Sequence, residues 1–252
     1  ESPLYRGFEY WRFRDSYAHG RILEALQEGW SPLQDGEQCF TESWSNGQLS
    51  THCALGFTEV MHSMVLSPAL ATVRSGAFSA VRHLVDVGGG SGALAAAFLA
   101  HYPGRRATVF DLDTVCEASA QILSKVASAA QLEYYPRDFF RDEWLSGADA
   151  LILSNILHDW PVATCRVLLG RAHAALAPGG SLFIREALLD EGGCAPLFTV
   201  TFDLLMHINH RAQQFTLQQL SGLLVEAGFE APMVRHRSGH YALLQAVKPA
   251  QR

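Results

Sequence analysis

The run His83-Leu84-Val85-Asp86-Val87 passes directly into Gly88-Gly89-Gly90-Ser91-Gly92, and this junction constrains the fold more than any other segment. A short apolar run bounded by glycines reads as a buried strand, and Ala93–His101 behind it carries a helical pattern. A plain strand–helix turn needs no glycine cluster. Four glycines within the five positions 88–92 therefore point to a backbone that a ligand approaches closely. In sheets flanked by helices, ligands bind outside the carboxyl ends of the strands, near the point where strand order reverses.

The same strand–helix rhythm continues downstream. Ala107–Asp111, Leu132–Tyr135, Ala148–Ile156 and Ser181–Leu189 read as strands, and Val115–Ser128 and Val162–Ala177 as helices between them. Such alternation predicts an α/β fold with a doubly wound, mostly parallel sheet. Met233–Arg237 and Tyr241–Val247 are separated only by Ser238-Gly239-His240, so an antiparallel hairpin should close a sheet of seven strands. Residues 1–80 differ. Arg12–Leu26 and Ala54–Val73 read as helices, Pro68 is expected to kink or end the second, and Ser31–Ser50 reads as loop. The expected division is a helical segment over 1–80 and a ligand-binding domain over 81–252.

Composition narrows the function. With 48% hydrophobic and 17% charged residues, the 252-residue chain can bury a sizeable core. A formal net charge of −6 without a Lys/Arg run argues against a nucleic-acid partner. No apolar stretch reaches the roughly 18 residues of a membrane span. Cys39, Cys53, Cys116, Cys165 and Cys194 form no C-x-x-C pair, and no secretory signal is visible, which suits the reducing cytoplasm. The chain opens on Glu1 rather than Met and reads as a fragment or a processed form.

The ligand class follows from three strand ends. A dinucleotide loop reads G-x-G-x-x-G, whereas this one reads Gly88-x-Gly90-x-Gly92 followed by Ala93. Asp111, closing the second strand, suits the two hydroxyls of a ribose, a role common to nicotinamide and adenosyl ligands. Asp138 follows the third strand in Arg137-Asp138-Phe139-Phe140, where it can accept from an adenine amino group while Phe139 covers the ring. Each has a plainer reading as a turn or strand-end residue. Together they describe one adenosyl ligand.

The fourth strand runs into Leu157-His158-Asp159-Trp160, which brings an imidazole to the same crevice. Histidine takes a proton near neutrality. A phenol, with a pKa near that of tyrosine at about 10, becomes nucleophilic as its proton leaves, and methyl transfer then needs mainly alignment. Glu186, at the end of the fifth strand, should neighbour His158 and fix its tautomer. No His, Cys, Asp or Glu set has metal-ligand spacing, so no metal is expected.

With these residues assembled, the chain resembles the small-molecule O-methyltransferases of the caffeate and acetylserotonin type, from about Tyr10 to Val247. LVDVGGGSG (84–92), TVFDL (108–112), RDFF (137–140) and ILHDW (156–160) carry the resemblance. It implies a class I, Rossmann-like S-adenosylmethionine site at Asp86, Gly88, Gly90, Asp111, Leu112, Asp138, Phe139 and Ser154. His158 would be the general base and Glu186 one of two acidic residues bracketing it. A small hydroxylated acceptor would lie among Phe57, Met61, Asp159, Trp160, Met206 and Asn209, with Met64 and Leu205 on the same helices.

Three departures stand out. Gln214 occupies the place of the second acid, Ser154 stands where many relatives carry a basic side chain, and the family's winged-helix dimerisation domain is missing. The intact family protein is expected to be a homodimer. Transfer to carbon or nitrogen, a cofactor-binding module without catalysis, and a nicotinamide-dependent dehydrogenase are the competing readings.

Overall fold

The computed structural model describes Trp44, residues 49–210 and residues 212–250, without the side chains of 208–210. The helix expected at Arg12–Leu26 and most of the loop expected at 31–50 lie outside the described residues. The first described helix, α1 (Thr51–Arg74), begins at Ser50, whose hydroxyl accepts from the Cys53 amide at 3.2 Å. That contact satisfies one of the amide groups that a helix start leaves without a partner.

Helix α1 does not end at Pro68. It continues to Arg74, with Thr72 Oγ1 donating to the Pro68 carbonyl at 2.8 Å. The turn beyond Pro68 is held by burial of Ala69, Thr72 and Val73. Tertiary packing thus outweighs the hydrogen bond that proline removes.

The elements that follow are β1 (His83–Val87), α2 (Ala93–His101), β2 (Arg106–Asp111), α3 (Asp113–Ile122) and β3 (Glu133–Pro136). Then come β4 (Ala150–Ser154), α4 (Val162–Ala175), β5 (Ser181–Leu189), α5 (Leu197–His210) and β6 (Phe215–Thr216). Helix α6 (Leu217–Glu226) and strands β7 (Met233–Ser238) and β8 (Tyr241–Val247) complete the order. The helix expected over Val115–Ser128 instead stops at Ile122, and a 3₁₀ turn spans Ala127–Gln131. Strand β4 ends at Ser154 because Asn155 takes a left-handed conformation, φ 56°.

The sheet runs β3-β2-β1-β4-β5-β8-β7, with the two-residue β6 beside β5. Strands β1 to β5 are parallel to their neighbours, and β8 pairs antiparallel with both β5 and β7. The expected closing hairpin is present. Strand order reverses between β1 and β4, and their carboxyl ends open the crevice there.

Side chains alternate between the two faces along each strand. Leu84, Val109, Ile152 and Phe183 pack beneath α1 and α2, while Val85, Leu153 and Ile184 pack against α4 and α6. Phe78 lies 4.6 Å from Phe183 and 6.1 Å from Phe98, centroid to centroid. Each such pair contributes roughly 0.5–1.5 kcal/mol beyond its buried area. The alternation also aims the site. Asp86, Asp111, Ser154 and Arg185 fall on the α1/α2 face, and Glu186 falls on the opposite one.

Candidate active site

Two adjoining cavities open at the carboxyl ends of β1, β4 and β5. The first holds about 1000 Å³ including its open mouth, at the upper end of small-molecule sites. The glycine loop, Asp86, Asp111, Phe139 and Ser154 line it. The second, about 680 Å³, is walled by Met64 and Pro68 from α1, by Phe202, Leu205 and Met206 from α5, and by Tyr241 from β8. Phe57, Met61, Asn155, Asp159 and Arg185 border both.

The loop is built for close approach. Gly88 has φ 68°, and a Cβ there would lie 2.4 Å from Ile156 Cδ1. Gly90, at φ 53°, meets nothing within 4 Å, so its backbone faces open space. The Gly90 amide donates to Asp111 Oδ2 at 3.0 Å, and the Leu112 amide donates to Oδ1 at 2.8 Å. Asp111 therefore shapes the loop while bordering the cavity. Half-buried His62 on α1 bonds Ser91 Oγ through Nδ1 at 3.0 Å, which ties the helix over the loop.

Electrostatics here favour a cation. Burial, with Asp111 beside it, pushes the Asp86 carboxyl up to about 7. Burial likewise pushes Asp111 up to about 6, against the pull of its two amide donors. Among the described residues no cation acts on either group. Two buried carboxyls held near neutrality gain charge readily when a positive ligand arrives.

The sequence expectations divide at this point. Leu112 packs partly buried against Leu49, Ala54 and Val115 rather than lining the cavity. Asp138 is also outside the lining. Its Oδ1 accepts from the Phe140 amide at 2.8 Å, and its own amide donates to Asp142 Oδ2 at 2.8 Å. It shapes the turn that presents Phe139. Oδ2 of Asp138 remains buried without a hydrogen bond, 3.7 Å from Arg141 Nε. Trp160 borders the first cavity and packs 4.5 Å from Phe140. Asn209 lies on α5, and its side chain is outside the description.

His158 and Glu186 meet as a pair. Glu186 Oε1 accepts from the amides of Ile156 and Leu157 at 3.1 and 3.0 Å, and Oε2 lies 2.6 Å from His158 Nδ1. An ionised carboxylate only accepts, so Nδ1 carries a proton and Nε2 is the nitrogen at which the ring gains or loses its second one. His158 borders the second cavity, and its Nε2 lies 3.6 Å from Asp159 Oδ1. Burial would lower the imidazole pKa, but Glu186 and Asp159 outweigh it and push the value up to about 9. The Phe202 ring meets the imidazole edge-on at 5.0 Å.

Sequence reasoning missed Arg185, Asn155, Phe202 and Tyr241. One usable signal was present, since Arg185 directly precedes Glu186 within β5, a strand otherwise rich in apolar residues. Gln214 is buried with both side-chain polar atoms unbonded, outside both linings. Among the described residues no cluster could hold a metal ion, and no helix is long and apolar enough to cross a membrane.

Comparison with known proteins completes the picture. A family model described as an O-methyltransferase domain matches residues 29–230. Acetylserotonin O-methyltransferase of Bos taurus is 38% identical over 165 residues, 66% of this chain and 47% of that protein. The Homo sapiens protein of the same name is 32% identical over 223 residues, 86% of this chain and 63% of its own. The chain spans about half the length of the curated relatives it matches.

Among solved structures, human N-acetylserotonin methyltransferase in complex with SAM superposes with a TM-score of 0.87 at 28% identity, covering 99% of this chain and 72% of that one. Mitomycin 7-O-methyltransferase shares the fold, with a TM-score of 0.84 at 24% identity over 98% of this chain and 73% of its own. The match spans most of the sequence, and the chain belongs to the O-methyltransferase domain family.

Proposed function

We propose that this chain transfers a methyl group from S-adenosylmethionine to a hydroxyl of a small aromatic acceptor. The observation that carries this reading is the His158–Glu186 pair, which borders the second cavity next to a glycine loop with two cation-seeking carboxyls. The first cavity fits the cofactor. Its Asp86 and Asp111 complement a ligand bearing a sulfonium and an ammonium, and the backbone at Gly90 has open space before it. When bound, the cofactor supplies an activated methyl group.

The chain's own residues supply alignment and a proton acceptor. Phe57, Met61 and Met206 offer an apolar wall on which a flat ring lies, which excludes water from the reacting oxygen. His158 Nε2 takes the hydroxyl proton. Glu186 holds the ring in the Nδ1-protonated tautomer and stabilises the imidazolium that forms. The relatives named for acetylserotonin support a hydroxylated aromatic as the acceptor class. The segment up to about residue 80 then serves as one wall of the acceptor site. A cytoplasmic enzyme acting on small molecules, dimeric in its intact form, completes the reading.

The test is calorimetric binding of S-adenosylhomocysteine together with labelled methyl transfer to N-acetylserotonin and a panel of phenols. Binding with transfer to oxygen supports the reading. Binding without transfer to any acceptor would leave a non-catalytic module, and labelled carbon or nitrogen products would reassign the reaction.

A further inference from the structure

Arg185 is a permanent cation whose acidic neighbour in the chain, Glu186, is held by other partners. It is 3% exposed and borders both cavities. Its register partner on β4 is Ser154, whose Oγ accepts from Nη1 at 3.5 Å, the outer limit of a hydrogen bond. Its guanidinium stacks 4.0 Å from the centroid of Tyr241. Asp111 holds two loop amides, Glu133 pairs with Arg106, Asp159 lies 3.6 Å from His158 Nε2, and Glu186 is committed to His158 and two amides. Among the described residues no carboxylate forms an ion pair with Arg185.

Burying an unpaired charge is costly, and proteins offset it with a partner of opposite sign. Ring stacking and one long hydroxyl contact leave most of the five guanidinium donors unsatisfied. Burial already depresses the Arg185 pKa. A planar fork of this kind, next to a cavity, matches a carboxylate bidentately.

We propose that Arg185 is the binding point for a ligand carboxylate at the junction of the two cavities. The inference rests on the methyltransfer reading for the two ligands that could bring that group, namely the amino-acid tail of the cofactor and an acidic aromatic acceptor. The first cavity sets this one guanidinium among the carboxyls of Asp86, Asp111 and Asp159, so it offers both signs of charge to a ligand that carries cations and a carboxylate.

The experiment compares the wild-type chain with Arg185→Gln and Arg185→Lys, after circular dichroism melts show that each folds. If the cofactor tail is the source, Arg185→Gln weakens S-adenosylhomocysteine at least tenfold by calorimetry and leaves 5′-methylthioadenosine, which lacks the tail, within twofold. Arg185→Lys recovers part of that loss. If an acidic acceptor is the source, S-adenosylhomocysteine affinity holds. Benzoate, and not benzamide, then raises the melting temperature of the wild-type chain and not of Arg185→Gln.

Unchanged S-adenosylhomocysteine affinity together with no Arg185-dependent benzoate effect overturns the proposal. Should the wild-type chain fail to bind S-adenosylhomocysteine at all, the methyltransfer reading fails instead. The benzoate comparison would still decide the role of Arg185.

Discussion

The two adjoining cavities are made in different ways. The first is built from strand ends and backbone, with Gly88 and Gly90 at positive φ, Asp111 holding two loop amides, and Asp86 buried beside them. The second is built from side chains that two helices and the closing strand bring together, such as Met64 from α1, Phe202 from α5 and Tyr241 from β8. Apart from the α1 side chains that also line it, the former depends on contacts close in sequence and on one strand pairing. The latter depends on how distant helices dock. A cofactor site of the first kind should be rigid and local, whereas an acceptor site of the second kind can change with each helix residue without disturbing the loop.

The largest effect that would break this division lies at their boundary. His158→Ala should lower turnover roughly 10²–10⁴-fold, the usual contribution of a general base, with S-adenosylhomocysteine affinity within about twofold. Steady-state kinetics beside calorimetry tests this, and retained turnover would remove His158 from the chemistry. In the wild-type chain kcat should climb with pH toward about 9, where the imidazole loses its proton. Glu186→Gln removes the main charge that raises His158 and should move that inflection downward.

Next come the glycines, which separate folding from binding. Gly88→Ala forces a Cβ against Ile156 and should lower the melting temperature, by roughly 1–3 kcal/mol of stability as overpacking does. Gly90→Ala meets no atom and carries mainly the left-handed backbone cost of about 1–2 kcal/mol. Its loss of S-adenosylhomocysteine affinity should therefore exceed what its melting shift implies. Equal losses of affinity and stability in both variants would show that the loop is a packing element only.

The pH dependence of stability is smaller and has a definite sign. Asp86 and Asp111 are raised from about 3.8 to about 7 and 6. Their contribution is fully present below pH 3.8 and is lost as pH rises through 6 to 7. His158, raised from 6.5 to about 9, contributes fully below 6.5 and loses that contribution as pH rises through 9. Both trends run the same way, so the melting temperature of the ligand-free chain should fall from pH 5 to 9. Asp86→Asn should flatten the slope between pH 4 and 7, and an unchanged slope would place the titration elsewhere.

The smallest effect tests the second cavity alone. Met64 is 46% exposed and borders only that cavity. Met64→Ala should alter the acceptor KM several-fold while melting temperature and S-adenosylhomocysteine affinity stay put. A change in cofactor affinity would show the two cavities to be coupled.

The sequence by itself determined the parallel sheet, its closing hairpin and the glycine loop. Each is written in contiguous residues whose period and backbone freedom need no distant partner, as in His83–Val87 running into Gly88–Gly92 or the short turn between β7 and β8. His158 and Glu186 were legible because each belongs to or follows a recognisable strand, although β4 stops at Ser154 and β5 runs past Glu186 to Leu189. Only the tertiary structure decided that α1 continues past Pro68, because buried Ala69 and Val73 outweigh one missing hydrogen bond. It also packed Leu112 against Leu49, Ala54 and Val115 and set Asp138 to shaping a turn. Arg185 is the clearest case. Its meaning depends on the pleat that aims it beside Ser154, on the antiparallel strand that lays Tyr241 against it, and on the commitment of Glu186 to other partners. Linear spacing records none of these, because each is a contact between elements far apart in the chain.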